Sequence, residues 1–278
     1  MAEAPKTYDP HRFRTTVPYY TRYRLGYPPA LIERVNGIVG LKPGDAVMDL
    51  GCGPGLLAIL FALAGMKVTA IDPEPAMLEA AREAASEAGV SLDLRLGSSF
   101  DWPAGIGPFR LAAMGRSFHW MDREATLQAL DSLVTADGAV ALFHDEHPQT
   151  AENAWRRVMH DVANRYGRQD SHHVQARGQA DYRKHESVLL DSPFNRLEHA
   201  GIFIKREMTA DDVVGLAFSL STTAPQKLGE RAPAFEKDLR AALAEVSPSG
   251  RFVEIAEMLA LVARRQLSSP ESGQDNND

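Results

Sequence analysis

Gly51, Gly53 and Gly55 fall within VMDLGCGPG (47–55), a stretch that joins one apolar run to the next. Glycines spaced in this way let the backbone turn sharply and come close to a ligand, because no Cβ stands between them. The N–H groups that open the following helix have no intrahelical partner. One carboxylate, Asp49, stands two residues before the first glycine, and another, Asp72, closes the next apolar run, KVTAID (67–72). An acid ending a second strand lies beside the end of the first, within reach of ribose hydroxyls. In sequence, a helix-capping or surface acid would look the same.

Two cofactor classes use such a turn. A dinucleotide rests its pyrophosphate on the helix N-terminus, usually through G-x-G-x-x-G. Here the third glycine comes one residue early, and the fixed charge of Asp49 opposes a pyrophosphate. That charge suits a cationic ligand with an amino group and no phosphate. S-adenosylmethionine, with its sulfonium and ammonium, is such a ligand. A nucleotide-dependent oxidoreductase is the competing reading, and a catalytically silent cofactor-binding protein is another.

His119 and His144 follow two further apolar runs, and imidazole has the right ordinary pKa for proton transfer near neutrality. Each is a candidate general base, needed for a hydroxyl acceptor but not for a carboxylate, which is already ionised. A structural histidine is the alternative for both. Phe118 and Trp120 are expected to wall a substrate or adenine pocket. HDEH (144–147) invites a metal reading, but HxxH on a loop is common by chance, and no metal is expected there. His172, His173 and His185 are read as parts of a polar insert. Cys52, inside the glycine turn, is not expected to act as a nucleophile.

These residues need a frame. Apolar runs at 46–50, 67–72, 91–97, 109–115 and 139–144 read as strands. Helical patterns at 56–64, 75–89 and 123–135 separate them, which implies a parallel sheet with right-handed crossovers. A helix at 29–39 precedes them, with proline in its first turn. After His144 the rhythm breaks, and residues 146–190 read as a partly helical insert over the ligand-binding edge. Extended structure near 192–209, helices at 209–221 and 235–246 and a strand at 258–265 complete the pattern. The expected fold is α/β: a Rossmann-like, mostly parallel seven-stranded sheet with helices on both faces and a helical insert after strand five. The expected organisation is a flexible arm (1–16), a single domain (17–266) and a disordered tail (267–278). Within the domain, 17–30 is expected to be a cofactor lid without regular helical periodicity, and 146–190 a substrate cover.

VMDLGCGPG and AIDPEPAML (70–78) resemble the first two motifs of class I methyltransferases. RSFHWMD (116–122), the pattern Tyr20, Arg24, Tyr27, Pro28, the stretch TADDVVGL and the closing RFVE…LVARR resemble a bacterial small-molecule subgroup similar to trans-aconitate methyltransferases. The likeness spans about residues 15–266, and none of its motifs specifies the acceptor. It implies that Gly51, Gly53 and Gly55 face the methionine part of S-adenosylmethionine, with Asp49 near the amino group. It places Asp72 and the adjoining Pro73 at the ribose and Met77 over the adenine. Ser98, where an acid is usual, Ser99 and Phe100 would meet the adenine edge, and Tyr20 and Arg24 would close over the cofactor. Met77 could equally be core filler, Ser98 and Ser99 turn residues, and Tyr20 with Arg24 a structural cluster. Arg110 replaces an acid often found at the start of strand four.

Composition bounds the rest. The chain has 278 residues, 44% hydrophobic, with one cysteine and a formal net charge of −7. One cysteine permits no internal disulfide and fits a reducing compartment. The acidic balance disfavours a nucleic-acid partner. The start MAEAPKTYDPHRFRTT lacks a signal-peptide core, and the longest apolar stretch, 56–65, is about half a bilayer span. The expectation is a cytoplasmic protein with a small-molecule substrate, no nucleic-acid or membrane partner, and an oligomeric state the sequence leaves open.

Overall fold

The computed structural model describes residues 14–168, 179–180 and 182–266. The expected arm up to residue 13, the tail from 267, and His172 and His173 of the insert lie outside the described residues.

Two helices, α1 (Val17–Tyr23) and α2 (Pro29–Val39), precede the first strand, β1 (Ala46–Leu50). Then come α3 (Ala58–Leu63), β2 (Lys67–Asp72), α4 (Pro75–Glu87), β3 (Asp93–Leu96), β4 (Phe109–Gly115), α5 (Arg123–Leu133) and β5 (Val134–Glu146). The second half adds α6 (Ala154–Arg165), α7 (His185–Leu190), β6 (Arg196–Thr209), α8 (Ala210–Phe218), α9 (Pro225–Leu228), α10 (Ala232–Val246) and β7 (Arg251–Arg264). The seven strands lie in the order β3-β2-β1-β4-β5-β7-β6, parallel from β3 to β5, with β7 antiparallel to both neighbours. The chain leaves β1 toward β2 on one side and resumes at β4 on the other. The crevice beyond the carboxyl ends of β1 and β4 is therefore the switch point where such sheets take ligands.

Central strands covered on both faces must be apolar throughout. Val47, Ala113 and Phe143 pack on one face with Leu31 and Val35 of α2 and Phe61 of α3. Met48, Met114 and Leu142 pack on the other with Leu127 and Leu130 of α5 and Val188 and Leu189 of α7. Asp122 caps α5 by accepting from Ala125 N at 3.0 Å, a contribution of about 1 kcal/mol. Each buried leucine below it contributes roughly 1.5–3 kcal/mol, so packing rather than capping fixes that helix.

Three expectations need correction. Residues 17–23 form a regular helix, stacked on α8: Tyr19 lies 5.3 Å from Phe218 between ring centroids. The last residues of the expected arm, Arg14–Thr16, form a 3-10 turn in which Thr16 is fully buried. Within the insert, expected to be partly helical, the first helix is α6. Its Trp155, Met159 and Val162 share a core with Val213 and Phe218 of α8 and Phe235 and Leu239 of α10. The polar composition of 146–190 conceals this, because the apolar residues of α6 occupy a single stripe. The last strand also starts earlier than its purely apolar part, at Arg251, with inward residues alternating through Phe252, Glu254 and Ala256.

Candidate functional site

Asp49 lies one residue before the end of β1, paired in register with Ala70 and Ala113. It is 1% exposed, and neither carboxylate oxygen completes a hydrogen bond. Burial pushes its pKa up to about 7, the N–H dipole of Ala58 opposing and the charge of Asp72 adding. Buried charge is normally paired, so this acid fits a cationic ligand group at the switch point.

The glycine turn follows. All three glycines have positive φ, of 73°, 54° and 81° at 51, 53 and 55, but their surroundings differ. A Cβ on Gly51 would stand 2.6 Å from Ser117 Cβ, and one on Gly55 would stand 3.2 Å from Ala81 Cβ. Both admit close packing of the chain on itself. A Cβ on Gly53 would meet only Met77 Sδ, at 4.0 Å, so Gly53 borders open space. Asp72 secures the turn: its Oδ2 accepts from Gly53 N at 2.8 Å and its Oδ1 from Glu74 N at 2.9 Å. Burial raises its pKa to about 6 despite those two N–H groups. Each oxygen keeps a further lone pair for a hydroxyl. Pro73 follows it, half-buried, and Met77 is buried.

At the end of β3, Ser98 Oγ accepts from Phe100 N at 3.1 Å and from Asp101 N at 3.2 Å. That hydroxyl closes its own turn. Ser99 Oγ, in contrast, is buried without a partner, which leaves it to offer a hydrogen bond where Ser98 was the first candidate.

Tyr20 and Tyr27 cover Asp49, lining a cleft with Cys52, Leu56, Leu57 and Gly115. The free space in this cleft is only ≈ 10 Å³, room for about one water. A ligand larger than water therefore reaches Asp49 only if the side chains lining this cleft move. Tyr27 approaches so closely that a Cβ on Gly115 would lie 2.7 Å from its hydroxyl. Arg24 stacks over the Tyr20 ring at 5.1 Å and Arg116 over the Tyr27 ring at 4.8 Å. Arg116 has a φ of 55°. It pairs with Asp145 and donates from Nη2 to Leu25 O at 2.9 Å. Burial would lower its pKa, but Asp145 and Tyr27 outweigh that and raise it. Arg116 in turn holds the Asp145 carboxyl well below the usual range against the effect of burial. In sequence, Arg116 and Ser117 stand out only within the RSFHWMD stretch and Asp145 only within HDEH, and neither they nor Gly115 are assigned to this cleft.

The remaining candidates separate. His119 stacks on Trp120 at 4.7 Å in a short 3-10 turn (Phe118–Trp120) after β4. His144 lies near the end of β5 on the opposite sheet face from Asp145, 3.8 Å from Glu146, and burial lowers its pKa. Neither lines the cleft over Asp49. Phe118 is 2% exposed, buried in the core beside α5 and α7, and packs edge-on against His185 at 5.2 Å. Within HDEH, His147 is engaged by Glu254 at 3.0 Å. Among the described residues no group of three or more metal-ligating side chains gathers. Arg110 donates to Val39 O at 3.1 Å and so ties β4 to the end of α2. No helix among the described residues is long and apolar enough to cross a membrane.

Residues 47–138 match the methyltransferase-domain family. Among curated proteins, the chain is 49% identical over 82 residues to a ubiquinone biosynthesis O-methyltransferase of Methylocella silvestris, covering 26% of this chain and 32% of that one. It is 27% identical over 132 residues to an uncharacterized methyltransferase of Schizosaccharomyces pombe, 47% of this chain and 51% of that one. The chain thus spans about half or less of the length of these relatives. Among solved structures, a chain from Anaeromyxobacter dehalogenans assigned as a type II methyltransferase superposes with a TM-score of 0.62 at 19% identity, covering 89% of this chain and 100% of that one. An S-adenosylmethionine-dependent methyltransferase from Thiobacillus denitrificans, solved with S-adenosylhomocysteine, gives 0.52 at 15% identity, with 95% and 100% covered.

Proposed function

We propose that this protein, a class I methyltransferase by its fold and by the domain at residues 47–138, transfers a methyl group from S-adenosylmethionine to an oxygen of a small molecule. The carrying observation is Asp49, a buried acid without a partner beside the open flank of Gly53. It suits the ammonium of the cofactor's methionine and disfavours a dinucleotide pyrophosphate. Asp72, next to Pro73, takes the ribose hydroxyls while holding the turn. Met77 covers the adenine, and Ser99 with the backbone of Phe100 reads its edge. Tyr20, Arg24 and Tyr27 close over the methionine end as a lid.

When bound, S-adenosylmethionine supplies an electrophilic methyl on its sulfonium. The chain's share is to hold the acceptor in line, exclude water and, for a hydroxyl acceptor, remove a proton. His144, neutral at physiological pH because burial lowers its pKa, and His119 are the bases we assign to that role. Trp120 borders the acceptor, and Phe118 supports it from beneath. The name of the Methylocella relative supports an oxygen acceptor.

The test is to incubate the purified protein with methyl-labelled S-adenosylmethionine and fractionated metabolites, then locate the label. Label on a small-molecule oxygen, lost with Asp49→Asn, supports the reading. Label only on protein or nucleic acid, or none in any fraction, overturns the acceptor class.

A further inference from the structure

Among the described residues, Arg116 is the one non-glycine with positive φ. A left-handed backbone crowds the Cβ of an L residue, and such residues persist where their surroundings over-determine them, as at ligand clamps. The surroundings of Arg116 do so. Its backbone N donates to Phe143 O of β5 at 2.9 Å. Its side chain, 9% exposed, pairs through Nε with Asp145 and donates from Nη2 to Leu25 O at 2.9 Å, with the Tyr27 ring under the guanidinium. The next residue, Ser117, donates from Oγ to Leu50 O at 2.6 Å, at the end of β1. The turn after β4 therefore ties the α1–α2 linker to β5 and to the entrance of the glycine turn.

The two tyrosines over Asp49 are held unequally. Tyr27 is buried, edge-on to Phe143 at 5.6 Å and close against Gly115. Tyr20 is half-buried and rides on α1, stacked by Arg24 at that helix's own end. Between them, residues 24–26 belong to no helix or strand, and a Cβ on Gly26 would meet nothing within 4 Å. We propose that Arg116 is a positioning residue of the methyl-transfer site: it fixes Leu25 and Tyr27 as the standing wall of the methionine-end cleft, and the cleft opens by α1 swinging with Tyr20 about residues 24–26. Two donors in a rigid fork are required, Nε for Asp145 and Nη2 for Leu25 O, where a lysine has a single nitrogen. With Tyr27 already in place, closure on a ligand orders only α1. Such pre-organisation appears chiefly as slow ligand dissociation. The identity of the ligand rests on the methyltransferase reading; the latch is testable without ligand.

Cys52, the chain's one cysteine, lines the same cleft and is 7% exposed. Burial also pushes its thiol pKa up, so its reaction with N-ethylmaleimide reports opening of the cleft. Removing Arg116 alone would leave Asp145 buried and uncompensated, whereas removing both charges is far better tolerated. The double variant Arg116→Gln with Asp145→Asn should therefore stay folded, as circular dichroism melts check. Ligand-free and well below its melting temperature, it should label at Cys52 about tenfold faster or more than the unaltered protein. S-adenosylhomocysteine should leave it about tenfold faster or more, with an association rate within about threefold. Arg116→Lys keeps the charge beside Asp145 and carries the same test should the double variant not fold; it too should label faster and release ligand faster. Labelling and dissociation rates equal to those of the unaltered protein, in either folded variant, overturn the proposal and leave Arg116 a strut between β4 and β5. Failure of S-adenosylhomocysteine to bind the unaltered protein strikes the methyltransferase reading instead, and the labelling rates still decide the latch.

Discussion

Burying an ionisable group without a partner costs several kcal/mol, and Asp49 meets that cost by binding a proton more readily. Below about pH 7 the free protein holds Asp49 largely neutral, whereas a cationic ligand favours the carboxylate. Affinity for S-adenosylhomocysteine, whose ammonium is retained, should therefore rise between about pH 6 and pH 8, with protons released on binding below pH 7. Calorimetry in buffers of different ionisation heat reads both effects. Asp49→Asn should flatten the pH profile, and a profile unchanged by that substitution would count against Asp49 as the cation's partner. The same shift acts on stability. The folded-state pKa lies above the unfolded one, so the unpaired acid destabilises the free fold increasingly as pH rises from about 4 to 7. The thermal midpoint of ligand-free Asp49→Asn should exceed that of the unaltered protein by more at about pH 8 than at about pH 5.

The glycine turn shows how one element divides its work. Gly51→Ala forces a Cβ to within 2.6 Å of Ser117 Cβ, while Gly53→Ala meets nothing closer than a methionine sulfur. Both strain a left-handed backbone, at roughly 1–2 kcal/mol. Gly51→Ala should lower the urea midpoint clearly more than Gly53→Ala, and Gly53→Ala should act mainly on cofactor affinity, by about tenfold or more. Equal stability losses with unaltered affinity would mean that Gly53 serves only the turn. The docking of α1 depends on another glycine. In α8, a Cβ on Gly215 would stand 2.3 Å from the Tyr23 ring, so α1 docks only because residue 215 has none. Gly215→Ala should displace α1, exposing residues 14–24 to proteolysis even with S-adenosylhomocysteine bound. In the unaltered protein, ligand should slow that cleavage. If ligand protects the variant and the unaltered chain alike, α1 is not the lid.

At the scale of the molecule, the sheet supplies a rigid edge and the helical layer of α6, α8 and α10 supplies the surface on which α1 rests. Ligand binding should couple the two. At a hundredfold excess over Kd a ligand stabilises by about 2.7 kcal/mol, which for a chain of this size is a rise in Tm of about 5–10 °C. S-adenosylmethionine and S-adenosylhomocysteine should give such a shift and NAD⁺ none. A shift with NAD⁺ alone would favour the oxidoreductase reading.

Periodicity and glycine spacing are local properties, and they were legible: the parallel half of the sheet, the turn at 51–55 and Asp72 at the end of β2 all follow from residues close in sequence. The strand bounds 46–50, 67–72 and 109–115 agree with the structure because strands buried on both faces must be continuously apolar. What depends on partners distant in the chain was not legible. Glu254 reads as a surface acid until Arg156, Arg206 and His147 arrive from α6, β6 and the end of β5 to neutralise it. Ser98 and Ser99 are the same residue type side by side, and only the turn's geometry spends one hydroxyl and leaves the other free. Residues 17–23 look irregular because the contacts that hold them helical belong to α8, about 190 residues away in the chain. Charge balance, donor satisfaction and helix docking are sums over neighbours in space, and tertiary packing alone sets those neighbours.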